Sequence, residues 1–316
     1  MTSPPGSGRR RAPGTGAGDV GRAPPAEARF QRLDQYRVDR EWKRFEGTAQ
    51  RDLFRELRVR FLRRNLPAQT GPVLDVGAGP GRFTPELAAA GEWILLLDLS
   101  ALALREARQR LDSGGGQPAH AYGYVVGNGR RPPLRAASLA AVALLGNLVG
   151  FSGPRARELL EATAQLVGPS GQLTVELSPG GGELSTYLHR LPATAVGRLL
   201  ASPPAAVLPR VEREGVVAVG RDAPARTTFR RLRVPELQRW FEPLGLSLVA
   251  ASAIAPALGA DPVRCAACQQ SPKSWHRLIE LEEHLGSLPA RWTAASSVLA
   301  VFRRGGESGL QKPALK

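Results

Sequence analysis

The sequence is short of the residues that make covalent or metal-held scaffolds. Two cysteines in 316 residues cannot build a disulfide framework, so a reducing compartment is expected. The opening run MTSPPGSGRRRAPGTGAG lacks the apolar stretch of a secretory signal. The longest apolar-rich segment, residues 136–151, is interrupted by Ser138, Gly146 and Asn147 and is short for a bilayer span. A soluble cytoplasmic protein without a membrane partner is the expectation. Lysine is nearly missing as well: only Lys43, Lys273, Lys312 and Lys316 occur. The net charge of +15 is therefore an arginine surplus. Residues 1–70 hold 16 Lys or Arg against 8 Asp or Glu, whereas residues 71–150 hold 7 against 6. A basic front end is compatible with RNA or an acidic surface, but arginine is spread through every segment, so a nucleic-acid partner is possible and not favoured. Neither a repeat of fixed period nor a catalytic triad is visible.

What is present is a globular composition, 42% hydrophobic and 22% charged, in a chain long enough for a sizeable core. Residues 1–26, rich in Gly, Pro, Ala and Arg, read as a disordered basic tail, and 305–316 as a second tail. Between them a single domain is expected over 27–304. Residues 27–70 read as N-terminal helices, with Leu53, Leu57 and Phe61 at four-residue spacing. From 71 to 179, short apolar strands alternate with helices: strands at 73–76, 93–97, 122–126, 139–145 and 172–177, and helices at 85–90, 100–111 and 154–167. Thr84 and Ser100 are placed to cap the first two helices, and Gly168-Pro169 to close the third. That order implies an α/β fold, a doubly wound, Rossmann-like, mostly parallel sheet. Residues 180–235 break the rhythm as an insertion after the fifth strand. Residues 236–304 return to it with helices at 235–244 and 274–285 and strands at 246–251 and 297–302, which completes seven strands.

The stretch VLDVGAGPGRF, residues 73–83, follows the first strand. It is not a Walker A loop, since no Lys-Ser or Lys-Thr follows. It also departs from the dinucleotide fingerprint, which needs its third glycine where Arg82 stands. The spacing Asp75-Val76-Gly77-Ala78-Gly79-Pro80-Gly81 resembles the first motif of class I S-adenosylmethionine-dependent methyltransferases. The resemblance covers residues 71–178 by motif and extends more loosely to 233–251 and 297–304. It implies S-adenosyl-L-methionine as cofactor. Asp75, Gly77, Ala78, Gly79 and Gly81 would hold its amino-acid end and ribose, with Asp75 near the ammonium. Asp98, with Leu99 beside it, ends the second strand 21 residues after Gly77 and is placed to accept hydrogen bonds from the ribose hydroxyls. Asn128 and Gly129 would meet the adenine amine; the competing reading is a turn-forming Asn-Gly pair. Leu145 and Asn147 follow the fourth strand, where the family faces cofactor and acceptor together. Asn147 is the candidate catalytic group; the competing reading is a capping Asn.

Absences narrow the acceptor too. The N/D-P-P-Y/F stretch of enzymes that methylate exocyclic base amines does not occur at 146–149, and no cysteine nucleophile lies near. A small-molecule acceptor is the primary reading. An RNA (tRNA) or protein methyltransferase is the first alternative, and a non-catalytic S-adenosylmethionine-binding module the second. Tyr36 to Phe45 mixes aromatics and charges and reads equally as a lid over the cofactor or as an amphipathic helix docked on the sheet. Cys265-Ala266-Ala267-Cys268 invites a zinc site. His276 and His284, eight residues apart, stand about 12 Å apart along a helix, so no metal is expected.

Overall fold

Apolar runs too short for helices and rich in Val, Ile and Leu pair most stably when both faces of their sheet are covered. In the computed structural model, which describes residues 35–66, 71–113, 121–179, 230–293 and 295–305, they do so. The elements in chain order are α1 (Gln35–Trp42), α2 (Ala49–Asn65), β1 (Pro72–Val76), α3 (Thr84–Ala88), β2 (Trp93–Asp98), α4 (Ala101–Ser113), β3 (Ala121–Val126) and β4 (Leu139–Leu144). There follow α5 (Leu148–Phe151), α6 (Ala156–Ala164), β5 (Val167–Leu177), α7 (Val234–Phe241), β6 (Leu246–Ala253), α8 (Pro262–Gln269), α9 (Pro272–Ser287), α10 (Pro289–Trp292) and β7 (Val298–Arg304). One seven-stranded sheet runs in the order β3-β2-β1-β4-β5-β7-β6. Its neighbours are parallel from β3 through β5, and β7 is antiparallel to both β5 and β6.

The two faces follow strand parity. Leu74, Leu95, Leu97, Val142, Leu144 and Val175 face a layer that includes Leu159 and Leu160 of α6 and Leu237 and Phe241 of α7. Val73, Ile94, Leu96, Ala141 and Ala143 face Leu53, Leu57 and Phe61 of α2, Leu87 of α3 and Leu104 of α4. Phe241 meets Phe302 edge to face at 4.8 Å. The helical spacing of Leu53, Leu57 and Phe61 is thus a core stripe, and β2 is buried at four successive positions between exposed Trp93 and half-buried Asp98.

Several local expectations are corrected. Thr84 does not cap a helix: it is the first residue of α3, and Phe83 precedes it with no side-chain cap bond. Ser100 does cap, accepting from the Ala103 N–H at 3.2 Å. Gly168 and Pro169 do not end α6 but belong to β5. A Cβ at Gly168 would sit 3.2 Å from the carbonyl oxygens of Ala137 and Leu139, and one at Gly171 would sit 2.9 Å from that of Ala140. These glycines mark a close backbone approach at the start of the β4–β5 ladder. Helix α8 was not anticipated. It begins on an Asp261-Pro262 pair, with Asp261 accepting from the N–H groups of Val263 and Arg264, and it carries both cysteines. Cys265 is buried in the α2–α9 layer and its thiol is pushed up to about 11, chiefly by burial, while His276 pairs with Glu280 at 3.1 Å on an exposed face. The expected tail at 1–26, all of the expected tail at 305–316 except residue 305, and residues 180–229 of the expected insertion lie outside the described residues; residues 230–233, where a β-rich run extending to 234 was expected, form no strand, and Val234 begins α7. Among the described residues no helix is long and apolar enough to cross a membrane.

Candidate cofactor and acceptor site

The chain leaves β1 through a turn in which Gly77, Gly79 and Gly81 all adopt positive φ, at 67°, 55° and 81°. The turn is tied down at both ends: the Gly77 N–H donates to Leu97 O at 2.7 Å, and the Gly81 N–H to Ala78 O at 3.0 Å. Asp98, the last residue of β2, holds its middle. The Gly79 N–H donates to Asp98 Oδ2 at 2.8 Å, and the Ser100 N–H to Asp98 Oδ1 at 2.8 Å. Burial raises the Asp98 carboxyl above its usual range, opposed by the backbone N–H groups of Ser100, Gly79 and Leu99. Each carboxylate oxygen keeps a further lone pair, so Asp98 is able to accept hydroxyl donors while holding the loop. A Cβ built at Gly79 would meet no atom of the described residues within 4 Å; toward them the loop presents bare backbone to open space. At φ 55° an L side chain costs about 1–2 kcal/mol, and a β-branched one more. Gly79→Ala is therefore expected to lose that much stability, while its affinity for S-adenosylhomocysteine falls about tenfold or more; a melting curve paired with titration calorimetry separates the two losses.

Asp75 is the penultimate residue of β1, at its carboxyl end. It is only 3% exposed, and its Oδ2 accepts the Thr84 hydroxyl at 2.8 Å. Burial, resisted by that hydrogen bond and reinforced by the nearby Asp98 charge, lifts its carboxyl to about 7. Thr84, read from sequence as a cap, is the partner of this carboxyl.

The other expected residues converge on the same end of the sheet. The Gly127 N–H donates to Asp98 O at 2.9 Å, which joins the end of β3 to the end of β2. A Cβ at Gly129 would stand 2.8 Å from Val76 Cγ1, and one at Gly77 would stand 2.8 Å from Leu148 Cδ2. The loops after β1, β3 and β4 therefore pack around one point. Asn128 forms the turn that competed with its adenine role: its Oδ1 accepts from Arg130 N at 3.0 Å and from Arg130 Nε at 3.4 Å. Leu145 is buried. Asn147 precedes α5 at φ 68° without making a cap bond, so the capping reading fails. It is 8% exposed, and its Oδ1 is buried with no hydrogen-bond partner among the described residues. A left-handed non-glycine residue carrying an unsatisfied buried acceptor keeps Asn147 a candidate.

Three residues near Asn147 were missed from sequence. Glu176 of β5, 2% exposed, accepts from Arg58 Nε at 3.1 Å and Nη2 at 2.6 Å, from Ser297 Oγ at 2.6 Å and from the Gly146 N–H at 2.8 Å. Burial pushes its carboxyl up, but the Arg58 charge and these hydrogen bonds outweigh it and hold it below the usual range. The one available signal was a lone charge inside Leu173-Thr174-Val175-Glu176-Leu177. Helix α1 completes the surroundings. Val38 is fully buried, and Trp42 lies 6.0 Å from Arg82 of the glycine turn and 4.7 Å from Arg110 of α4. The N-terminal segment thus docks as an amphipathic helix and, in docking, stands against the glycine turn.

A sheet of this order with a glycine turn after β1 and a carboxylate ending β2 has the class I methyltransferase fold. Among solved structures, a SAM-dependent methyltransferase from Methanosarcina mazei is similar at 14% identity, covering 77% of this chain and 97% of its own, with a TM-score of 0.51. Magnesium protoporphyrin IX methyltransferase from Synechocystis PCC 6803, with bound SAH, is similar at 13% identity over 89% of this chain and 100% of its own, with a TM-score of 0.53. At these identities the likeness establishes the fold. No curated protein matches the sequence. The family described as methyltransferase domain matches residues 73–171. The described sheet thus has the fold of class I methyltransferases, a class whose cofactor is S-adenosylmethionine, and residues 73–171 are the part of the chain that the methyltransferase-domain family matches.

Proposed function

We propose that this enzyme transfers the methyl group of S-adenosylmethionine to a small molecule presented at Asn147. The observation that carries the reading is the pairing of Gly79 with Asp98: bare left-handed backbone open to a ligand, locked by a carboxylate with lone pairs to spare. Asp98 would accept the ribose hydroxyls, Gly77 to Gly81 would admit the amino-acid end, and Leu145 and Asn128-Gly129 would border the adenine. When bound, the sulfonium supplies an already activated methyl for in-line displacement. What remains for the protein is alignment and exclusion of water. The buried Oδ1 of Asn147 accepts an O–H or N–H of the incoming molecule and orients its lone pair. Arg230 stands beside α5, its N–H donating to Gly150 O at 3.0 Å, three residues past Asn147.

The test is to isolate the protein, identify any bound small molecule by mass spectrometry, and screen acceptors with methyl-labelled S-adenosylmethionine. Labelled product from a free hydroxyl or amine compound supports the reading. The arginine surplus of residues 1–70 favours RNA as the second reading: inactivity on free acceptors together with salt-sensitive tRNA binding would replace the first. Binding of S-adenosylmethionine without turnover on either class would leave a cofactor-binding module, and tight NAD binding in its place would overturn the assignment.

A further inference from the structure

The loop after β4 is held in an unusual conformation by something outside it. Gly146 and Asn147 are consecutive left-handed residues, at φ 65° and 68°. For Asn147 that conformation persists only where surrounding structure over-determines it. Its carbonyls are met locally: Leu145 O accepts from the Leu148 N–H at 3.4 Å and Asn147 O from the Phe151 N–H at 3.2 Å, while Gly146 O accepts from Arg44 Nη1 at 3.5 Å. The Asn147 side chain makes no cap bond. The anchor from the sheet is the Gly146 N–H, donated at 2.8 Å to Glu176 Oε2 of the neighbouring strand. Glu176 is in turn fixed from two further directions, by Arg58 of α2 and by Ser297 just before β7. All three residues are at most 5% exposed.

We propose that Glu176 is a positioning residue for the methyl-transfer site: its Oε2 fixes the Gly146 peptide and thereby the orientation of the Asn147 amide beside the cofactor. This rests on the reading of Asn147 given above. The chemistry divides the carboxylate in two. Oε1 takes the charge of Arg58 and the Ser297 hydroxyl, which is a structural task. Oε2 takes a single backbone N–H next to the unsatisfied Asn147 Oδ1, which is a task of alignment. Through Arg58 the same carboxylate ties helix α2 to the site, so the N-terminal helices and the acceptor loop share one buried anchor. A charge so enclosed survives only because it is paired, and it offers a rigid acceptor that solvent cannot replace.

The two tasks separate experimentally in a pair of uncharged double variants of the full chain. Arg58→Met with Glu176→Gln removes the ion pair but leaves an amide oxygen for the Gly146 N–H. Arg58→Met with Glu176→Met removes the ion pair and that acceptor together. Neither leaves an unpaired buried charge, which is what would unfold Glu176→Gln alone. Amide hydrogen exchange at Gly146 and titration calorimetry with S-adenosylhomocysteine are measured on both. The expected result is a Gly146 amide that stays protected in the Gln variant and exchanges much faster in the Met variant. The Met variant is also expected to bind S-adenosylhomocysteine about tenfold more weakly than the Gln variant, because Leu145, assigned to the adenine border, is fixed through the same Gly146 peptide. Equal affinity and equal Gly146 protection in the two variants would overturn the proposal and leave Glu176 a packing element. If the Met variant does not fold, Gly146 exchange in the wild type decides: a rapidly exchanging amide overturns the proposal, a protected one supports it. Wild-type protein that binds no S-adenosylhomocysteine would instead overturn the cofactor reading, while the Gly146 measurement would still test the anchor.

Discussion

Asp75→Asn should flatten the pH dependence of stability between pH 4 and pH 7 and make the protein markedly more stable than wild type above pH 7. Burial lifts the Asp75 carboxyl from its ordinary 3.8 to about 7. Between those values the native state holds a proton that the unfolded chain has released. A raised folded-state value contributes stability that is fully present below about pH 4 and is lost as pH rises through 7. At 1.36 kcal/mol per pKa unit, the loss is on the order of 4 kcal/mol, or roughly 10 °C in melting temperature for a domain of this size. Asparagine stays neutral at every pH and can still accept the Thr84 hydroxyl, so the variant lacks this loss. The measurement is the difference in melting temperature, variant minus wild type, at pH 4, 5.5, 7 and 8.5. A difference that grows with pH and levels off above 7 is expected; a constant difference would mean that Asp75 is charged throughout. The same variant tests the ammonium role implied by the resemblance. If the Asp75 charge attracts the ammonium of the cofactor, Asp75→Asn weakens S-adenosylhomocysteine binding even as it raises the melting temperature.

Asp98→Ala is expected to weaken cofactor binding by about 1–3 kcal/mol, which is roughly a five- to 150-fold rise in Kd. Two losses combine. The ribose hydroxyls lose a charged acceptor, and the Gly79 and Ser100 N–H groups lose the partners that fix the turn. Asp98→Asn separates them, because one amide oxygen can serve either the backbone or the ligand but presents no full charge. Calorimetry with S-adenosylhomocysteine should rank wild type above Asn and Asn above Ala; three equal affinities would remove Asp98 from the site.

Where chemistry is local, it could be read in the chain. Four apolar positions in a row announce β2 as a strand buried on both sides, the glycines at 77, 79 and 81 announce a turn of positive φ, and Ser100 announces the start of α4. Each depends on residues within a few positions of one another, so period and spacing are sufficient. The same holds for Asp98, whose distance from Gly77 follows from the length of one strand-turn-helix unit.

What spacing could not reveal is which side chains meet across the sheet. Thr84 looks like a helix cap until β1 brings Asp75 to its hydroxyl. Gly168 and Pro169 look like a helix stop until β4 closes on their backbone. Glu176, Arg58 and Ser297 stand 118 and 121 residues apart from one another and form one anchor only because β5 lies between α2 and the start of β7. Asn147 could be named as a candidate from its place after the fourth strand, but its left-handed backbone and unsatisfied oxygen arise from burial. Desolvation and long-range hydrogen bonding depend on the packed neighbours in space, and a linear pattern carries no term for them.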